Sequence, residues 1–162
     1  MEKITSLVKN LKSSAAAEPQ LHSLTLRKGE LFSWNYTACA ITYNPDIENT
    51  EAYLLHEFSH ALLGHKEYAK DIELLNMERA AWDKALIIAD TFNVDIGEDL
   101  IEESLDTYRD WLHNRSTCPN CSATGIETSN QLYECVACHT TWHVNEARDC
   151  SLRRYTTKKH LK

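Results

Sequence analysis

Leu55-His56-Glu57-Phe58-Ser59-His60-Ala61-Leu62-Leu63-Gly64-His65 is the stretch whose reading organises the rest of this chain. Two histidines stand four apart, with a glutamate directly after the first. On a helix, residues four apart share one face, so the imidazoles of His56 and His60 can converge on a single ion. Glu57 is rotated by about a hundred degrees from His56, so it can miss the ion and still reach a water beside it. This is the zinc peptidase division of labour, two nitrogen ligands and a general base. The surrounding Ala52, Leu54, Leu55, Phe58, Ala61, Leu62 and Leu63 predict a strongly apolar helix over about 50–64. Asn49 or Thr50 is the expected cap and Gly64 the expected stop. Two histidines on such a helix are costly unless something pairs with them.

A catalytic zinc usually takes three protein ligands and leaves one position open. Glu78 is the expected third. It sits inside a second apolar stripe, three and four residues after Leu75 and Leu74 and three and four before Ala81 and Trp82. A carboxylate there needs a strong partner, and the 18 residues after His60 let the chain turn and return. The alternative partner for Glu78 is an Arg or Lys at the stripe's edge. His65, five residues past His60, points about 140 degrees away on a continuous helix. It is read as interacting with the helix C-terminal dipole, with an oxyanion or ligand-supporting role as its alternative. Tyr43, Tyr53 and Tyr68 are equal candidates for an oxyanion donor. Zinc in such a site lowers the pKa of its water from 15.7 toward about 7, and Glu57 takes the proton as the water attacks an amide.

A second constellation lies downstream. Cys118-Pro-Asn-Cys121 and Cys135-Val-Ala-Cys138, with 13 residues between, form a zinc-ribbon pattern. Four thiolates at this spacing make a closed, structural site. A module this small depends on its metal for folding. Two zinc ions are therefore expected, one catalytic and one structural. His139 and His143 are spare candidates for the second, and Cys39 and Cys150 are left as ordinary thiols.

The 162 residues allow one core plus a small satellite. The expected partition is a peptidase domain over 1–114, a ribbon over 115–150 and a basic, flexible tail over 151–162. The fold class is α+β: a zincin-like core of a short antiparallel sheet and helices, followed by the ribbon. An opening helix is predicted over 3–11, a linker over 13–20, strands over 21–27, 31–34 and 38–43, and helices over 69–92 and 97–113. The stripes are Leu74, Leu75, Ala81, Trp82, Ala85, Leu86 and Ala89, then Leu100, Ile101, Leu105, Tyr108, Trp111 and Leu112.

No apolar run is long enough to span a membrane, and no basic segment leads into an apolar one at the start, so the expected compartment is the cytoplasm. Residues 1–112 carry 10 Lys/Arg against 20 Asp/Glu, and residues 113–162 carry 7 against 4. An acidic body with a basic end points to a nucleic-acid or acidic partner; a solvated lysine-bearing terminus reads the same. Arg148, Arg153 and Arg154 are the candidate phosphate contacts, with Tyr133, Trp142 and Tyr155 as aromatic companions. The aromatics can equally pack the ribbon.

Ile41-Thr-Tyr-Asn, the His56–His65 stretch and Glu78-Arg-Ala-Ala-Trp-Asp-Lys-Ala-Leu86 together resemble the ImmA/IrrE family of zinc metallopeptidases over about residues 20–92. The resemblance implies His56, His60 and Glu78 as ligands, Glu57 as base, and a cytoplasmic endopeptidase that in several relatives cleaves a helix-turn-helix repressor. That family does not usually carry the ribbon. A ribbon after H-E-x-x-H also looks like the SprT-like proteases, whose third ligand is a histidine in a His-Gly context absent here. From another class, the chain reads as a non-enzymatic zinc-ribbon adaptor or nucleic-acid-binding protein with a vestigial histidine site, which leaves Glu57 without a use.

Overall fold

The computed structural model describes residues 2–146 and 151–157. Its elements are α1 (Glu2–Ala16), β1 (Thr25–Lys28), β2 (Ser33–Asn35), β3 (Ala40–Tyr43), α2 (Thr50–Leu63), α3 (Asp71–Phe92), α4 (Glu98–Ser116), β4 (Gly125–Ser129), β5 (Leu132–Cys135), β6 (Thr141–Val144) and β7 (Arg154–Thr156). The class is α+β, with two separate small sheets. Among the described residues no helix is long and apolar enough to cross a membrane.

Contacts group the chain into two compact units. The first comprises the chain up to Glu67 with Met77–Ile101, and the second comprises Tyr68–Asn76 with the chain from Glu102. α3 and α4 each contribute residues to both.

In the first unit, α1 runs past its expected end and absorbs part of the predicted linker. Ala15 lies four residues beyond Leu11, and Leu7, Leu11 and Ala15 are all buried. The serines and alanines of 13–16 therefore continue one stripe, and alanine favours the helix outright. The chain then turns through Leu21 and Leu24, both buried, into a sheet of order β1-β3-β2.

That sheet is mixed, not the antiparallel meander expected. β3 pairs antiparallel with β2 (Trp34 opposite Ile41), and parallel with β1 (Leu26 opposite Ile41). β3 holds the buried residues Ala40, Ile41 and Tyr43, whereas β1 and β2 are half-exposed to exposed. The most apolar strand takes the centre, where both of its edges are paired. Gly29 keeps β1 tight on β3: its N–H donates to the Tyr43 carbonyl at 2.9 Å, and a Cβ there would stand 2.4 Å from Thr42 Cγ2.

α2 is the most apolar helix, with Leu54, Leu55, Phe58 and Ala61 fully buried. Its start departs from expectation. Asn49 adopts a left-handed conformation (φ 58°) and its side chain makes no cap bond. Thr50 instead donates its hydroxyl to the carbonyls of Asn44 and Ile47, closing the preceding turn. The stop is as read: Gly64 takes φ 65°, and the amides of Gly64 and His65 bond back to Ala61 and His60. In the α3 stripe, Ala81, Trp82, Ala85 and Ala89 are buried, while Leu86 is 47% exposed and does not belong to it.

The second unit holds the four-stranded antiparallel sheet β4-β5-β6-β7. Its core is Cys118, Tyr133, Cys135, Trp142 and Val144, with Leu152 packed against them. Under it lies a buried polar cluster. Arg115 donates to both Asp71 carboxylate oxygens (2.6 and 3.1 Å), and the Tyr133 hydroxyl donates to the same carboxylate at 2.6 Å. The Asn145 carbonyl also accepts from Arg115. α4 extends three residues beyond its predicted end, to Ser116, because Arg115 is anchored in this cluster. The expected flexible tail is corrected over Arg154–Thr156, which forms β7 on β6. All three of its residues are exposed; backbone pairing and the Arg154 guanidinium on the Thr117 carbonyl hold them, and no hydrophobic period marks them.

Candidate metal centres

α2 and α3 bring together the three side chains singled out from sequence. His56, His60 and Glu78 are each under 8% exposed. His56 Nε2 lies 3.1 Å from Glu78 Oε2 and 3.0 Å from His60 Nε2, and His60 Nε2 lies 3.6 Å from Glu78 Oε2. A zinc ion with tetrahedral bonds of about 2.0–2.1 Å spaces its ligand atoms about 3.3 Å apart. The three measured edges bracket that value, so the donor set fits one face of a zinc coordination tetrahedron. Glu78 pairs with the histidines, not with a flanking cation.

The electrostatics suit such a site. Burial pushes the His56 imidazole below its ordinary pKa, more than its hydrogen bond to Glu78 raises it. Burial alone raises the Glu78 carboxyl, but hydrogen bonds and charge from the two histidines outweigh this and hold it well below the usual carboxylate range. Neutral imidazole and ionised carboxylate are the forms that bind metal.

Two further features surround the triangle. Trp82, taken only as part of an apolar stripe, lays its ring 4.2 Å from that of His56, at the end of a chain of contacts through Tyr53 to Phe32. Tyr53 is thereby a packing residue, Tyr43 is buried on β3, and Tyr68 belongs to the second unit. His65, read as a dipole residue with an oxyanion or ligand-supporting role as the alternative, turns back so that its Nδ1 lies 2.8 Å from Nδ1 of His60. The left-handed Gly64 was the visible signal for that reversal. Burial and the neighbouring His60 push the His65 pKa down to about 4. Glu57, next to His56, is partly exposed.

In the second unit, all four ribbon cysteines converge. The Sγ atoms of Cys118 and Cys138 are 3.7 Å apart and those of Cys121 and Cys135 are 3.5 Å apart, against about 3.8 Å for a tetrahedron of 2.3 Å zinc–sulfur bonds. The two knuckles repeat one backbone design. Ser122 and His139, each four residues after its first cysteine, take positive φ (62° and 57°) and donate to the carbonyls of Cys118 and Cys135. The carbonyls of Ala123 and Thr140 then accept from the amides of those same cysteines. Amides of Asn120, Ala137 and Cys138 point at sulfur. The Thr140 hydroxyl and Asn120 amide push the Cys138 thiol down to about 5. Despite the Ala123 amide, crowding by the other cysteines pushes Cys121 up to about 12, so ionising the full set calls for a cation. His139 pairs with Glu134 and His143 is exposed on β6, so neither joins the set. Cys39 sits in the turn before β3 with φ 45°.

Of the candidate phosphate contacts, Arg148 lies outside the described residues, as does Cys150. Arg154 spends its guanidinium on the Thr117 carbonyl, and the Arg153 backbone is held by Asn145. Tyr133 and Trp142 stack on each other in the ribbon core, 5.6 Å apart, whereas Tyr155 is 54% exposed. The cation Arg115 is buried in its ion pair. Compared with family models, curated proteins and solved structures, the chain has no match.

Proposed function

We propose that this chain is a zinc-dependent endopeptidase of the zincin type, acting on a protein or peptide substrate. The observation that carries this reading is the buried triangle of His56 Nε2, His60 Nε2 and Glu78 Oε2, whose edges of 3.0–3.6 Å fit a metal's coordination sphere. The likeness of the motif stretches to the ImmA/IrrE metallopeptidases supports the same assignment.

When bound there, zinc supplies Lewis acidity, lowering the pKa of water from 15.7 toward about 7 and polarising a carbonyl oxygen. The protein's part is divided among named groups. His56 and His60 present neutral nitrogens, and Glu78 contributes the negative charge. Glu57, adjacent in sequence to His56 but outside the triangle, takes the proton of the attacking water and passes it to the leaving amine. Trp82, packed on His56, fixes that ring and excludes water from its face. The ribbon's four thiols hold a second, structural zinc, a use of cysteine that suits a reducing, cytoplasmic setting. Its role is to recruit the substrate, a nucleic-acid-associated protein, with Arg153 and Tyr155 on the exposed face.

Glu57→Gln provides the test. The variant should keep two zinc ions per chain by elemental analysis and lose hydrolysis of a quenched-fluorescent peptide library by about 10²-fold or more. Cleavage at the wild-type rate refutes the base assignment. One tight zinc per wild-type chain, with no cleavage, favours the non-enzymatic ribbon adaptor.

A further inference from the structure

We propose that His65 is a positioning residue that accepts a hydrogen bond from His60 and so fixes the tautomer in which His60 can bind metal. The inference rests on the His56/His60/Glu78 reading above and names a residue that reading does not use.

A neutral imidazole carries one proton on one of two nitrogens. His60 turns Nε2 toward His56 and Glu78, and Nδ1 toward Nδ1 of His65 at 2.8 Å. Only two arrangements satisfy that short contact. If His65 donates, the His60 proton sits on Nε2 and blocks the metal-facing lone pair. If His60 donates, its Nε2 is free and His65 offers a bare Nδ1 with its own proton on Nε2. Metal binding therefore selects the second arrangement, and the orientation of His65 makes it available.

That orientation is built into the backbone. Gly64 at φ 65° reverses the chain, the His65 amide donates to the His60 carbonyl at 3.0 Å, and the His65 carbonyl accepts from the Trp34 indole at 2.9 Å. Both main-chain groups of His65 are thus fixed, and its ring meets that of His60 with centroids 4.9 Å apart. Among the described residues His56 has no such support: its buried Nδ1 makes no hydrogen bond to any of them. The outer hydrogen bond of the histidine pair is concentrated on His60. A neutral acceptor also differs from a carboxylate in adding no negative charge to the site, which preserves the metal's Lewis acidity.

Leu and Asn have nearly the same shape, but only Asn places an acceptor oxygen where His65 Nδ1 stands. In the full-length protein, zinc affinity of the weaker site is read by competition with a chromophoric chelator, and site geometry by the visible spectrum of the cobalt-substituted protein. His65→Leu should weaken zinc binding about 10–100-fold and alter the cobalt spectrum, while His65→Asn should stay within a few-fold of wild type. Equal affinity of wild type and His65→Leu, or equal losses in the two variants, overturns the inference and leaves the metal site standing. A wild-type chain that takes up only the ribbon's metal overturns the site and this inference together.

Discussion

Replacing Arg115 by Met should be among the most damaging single changes to the second unit. The guanidinium is almost fully buried and donates to both oxygens of Asp71, whose side chain is equally buried. Methionine fills much of the volume but, among the described residues, leaves the carboxylate with the Tyr133 hydroxyl as its one side-chain donor. Breaking one side of a buried pair costs about 3–5 kcal/mol; the surviving tyrosine bond places this case near the lower end. With a urea m-value of about 1–3 kcal/mol/M, a loss of ~3 kcal/mol lowers the unfolding midpoint by ~1–3 M. Trp142, stacked on Tyr133 and bonded to the Arg115 carbonyl, reports the transition by fluorescence in the zinc-loaded protein. The companion Asp71→Leu/Arg115→Met should cost less than Arg115→Met alone, because the charge left behind is what hurts. A single-variant loss below about 1 kcal/mol, or a double variant equal to the sum of its parts, would refute the account.

Acid should destabilise the metal-free protein partly through His65. Its folded pKa of about 4 lies below the ordinary 6.5, so the unfolded chain binds the proton more readily. The stability it contributes is complete above pH 6.5 and is lost as pH falls toward 4. The difference in urea midpoint between wild type and the non-titrating His65→Asn should therefore change across that window and level off outside it; a constant difference contradicts the assignment. Gly125→Ala should destabilise the ribbon by about 1–3 kcal/mol, since the new Cβ would stand 2.4 Å from Trp142 Cη2 and 2.8 Å from the Glu134 carbonyl oxygen. Gly97→Ala, with nothing within 4 Å and no positive φ, serves as the control and should lower the midpoint less than Gly125→Ala does, the loss being that of a glycine at the start of α4.

The elements that could be read in advance were those whose signal is local. A four-residue spacing puts His56 and His60 on one face whatever surrounds them, and two C-x-x-C pairs fold into knuckles through bonds spanning four or five residues. Glu78 was legible because a carboxylate amid Leu74, Leu75, Ala81 and Trp82 demands a partner. Less visible was anything set by remote pairing. β1 gives no local sign that it lies parallel to β3, and Arg154–Thr156 carries no apolar alternation because all three of its residues are exposed. The serines and alanines after Leu11 looked like a linker because composition outweighed the position of Ala15 on the buried stripe.

By itself, then, the sequence determined the two candidate ligand sets, the apolar helix that bears the histidines and the glycine that ends it, since all follow from spacing and from the cost of burying unpaired polar groups. The tertiary structure decided which partners those groups meet: that Glu78 bonds His56 and lies close to His60, that His65 folds back onto His60, that Trp82 covers His56, and that Arg115 is consumed by Asp71 and leaves the basic surface. Apart from the His65 contact, which the Gly64 turn sets locally, those outcomes depend on residues distant along the chain, where burial and chain return, not periodicity, select the neighbour.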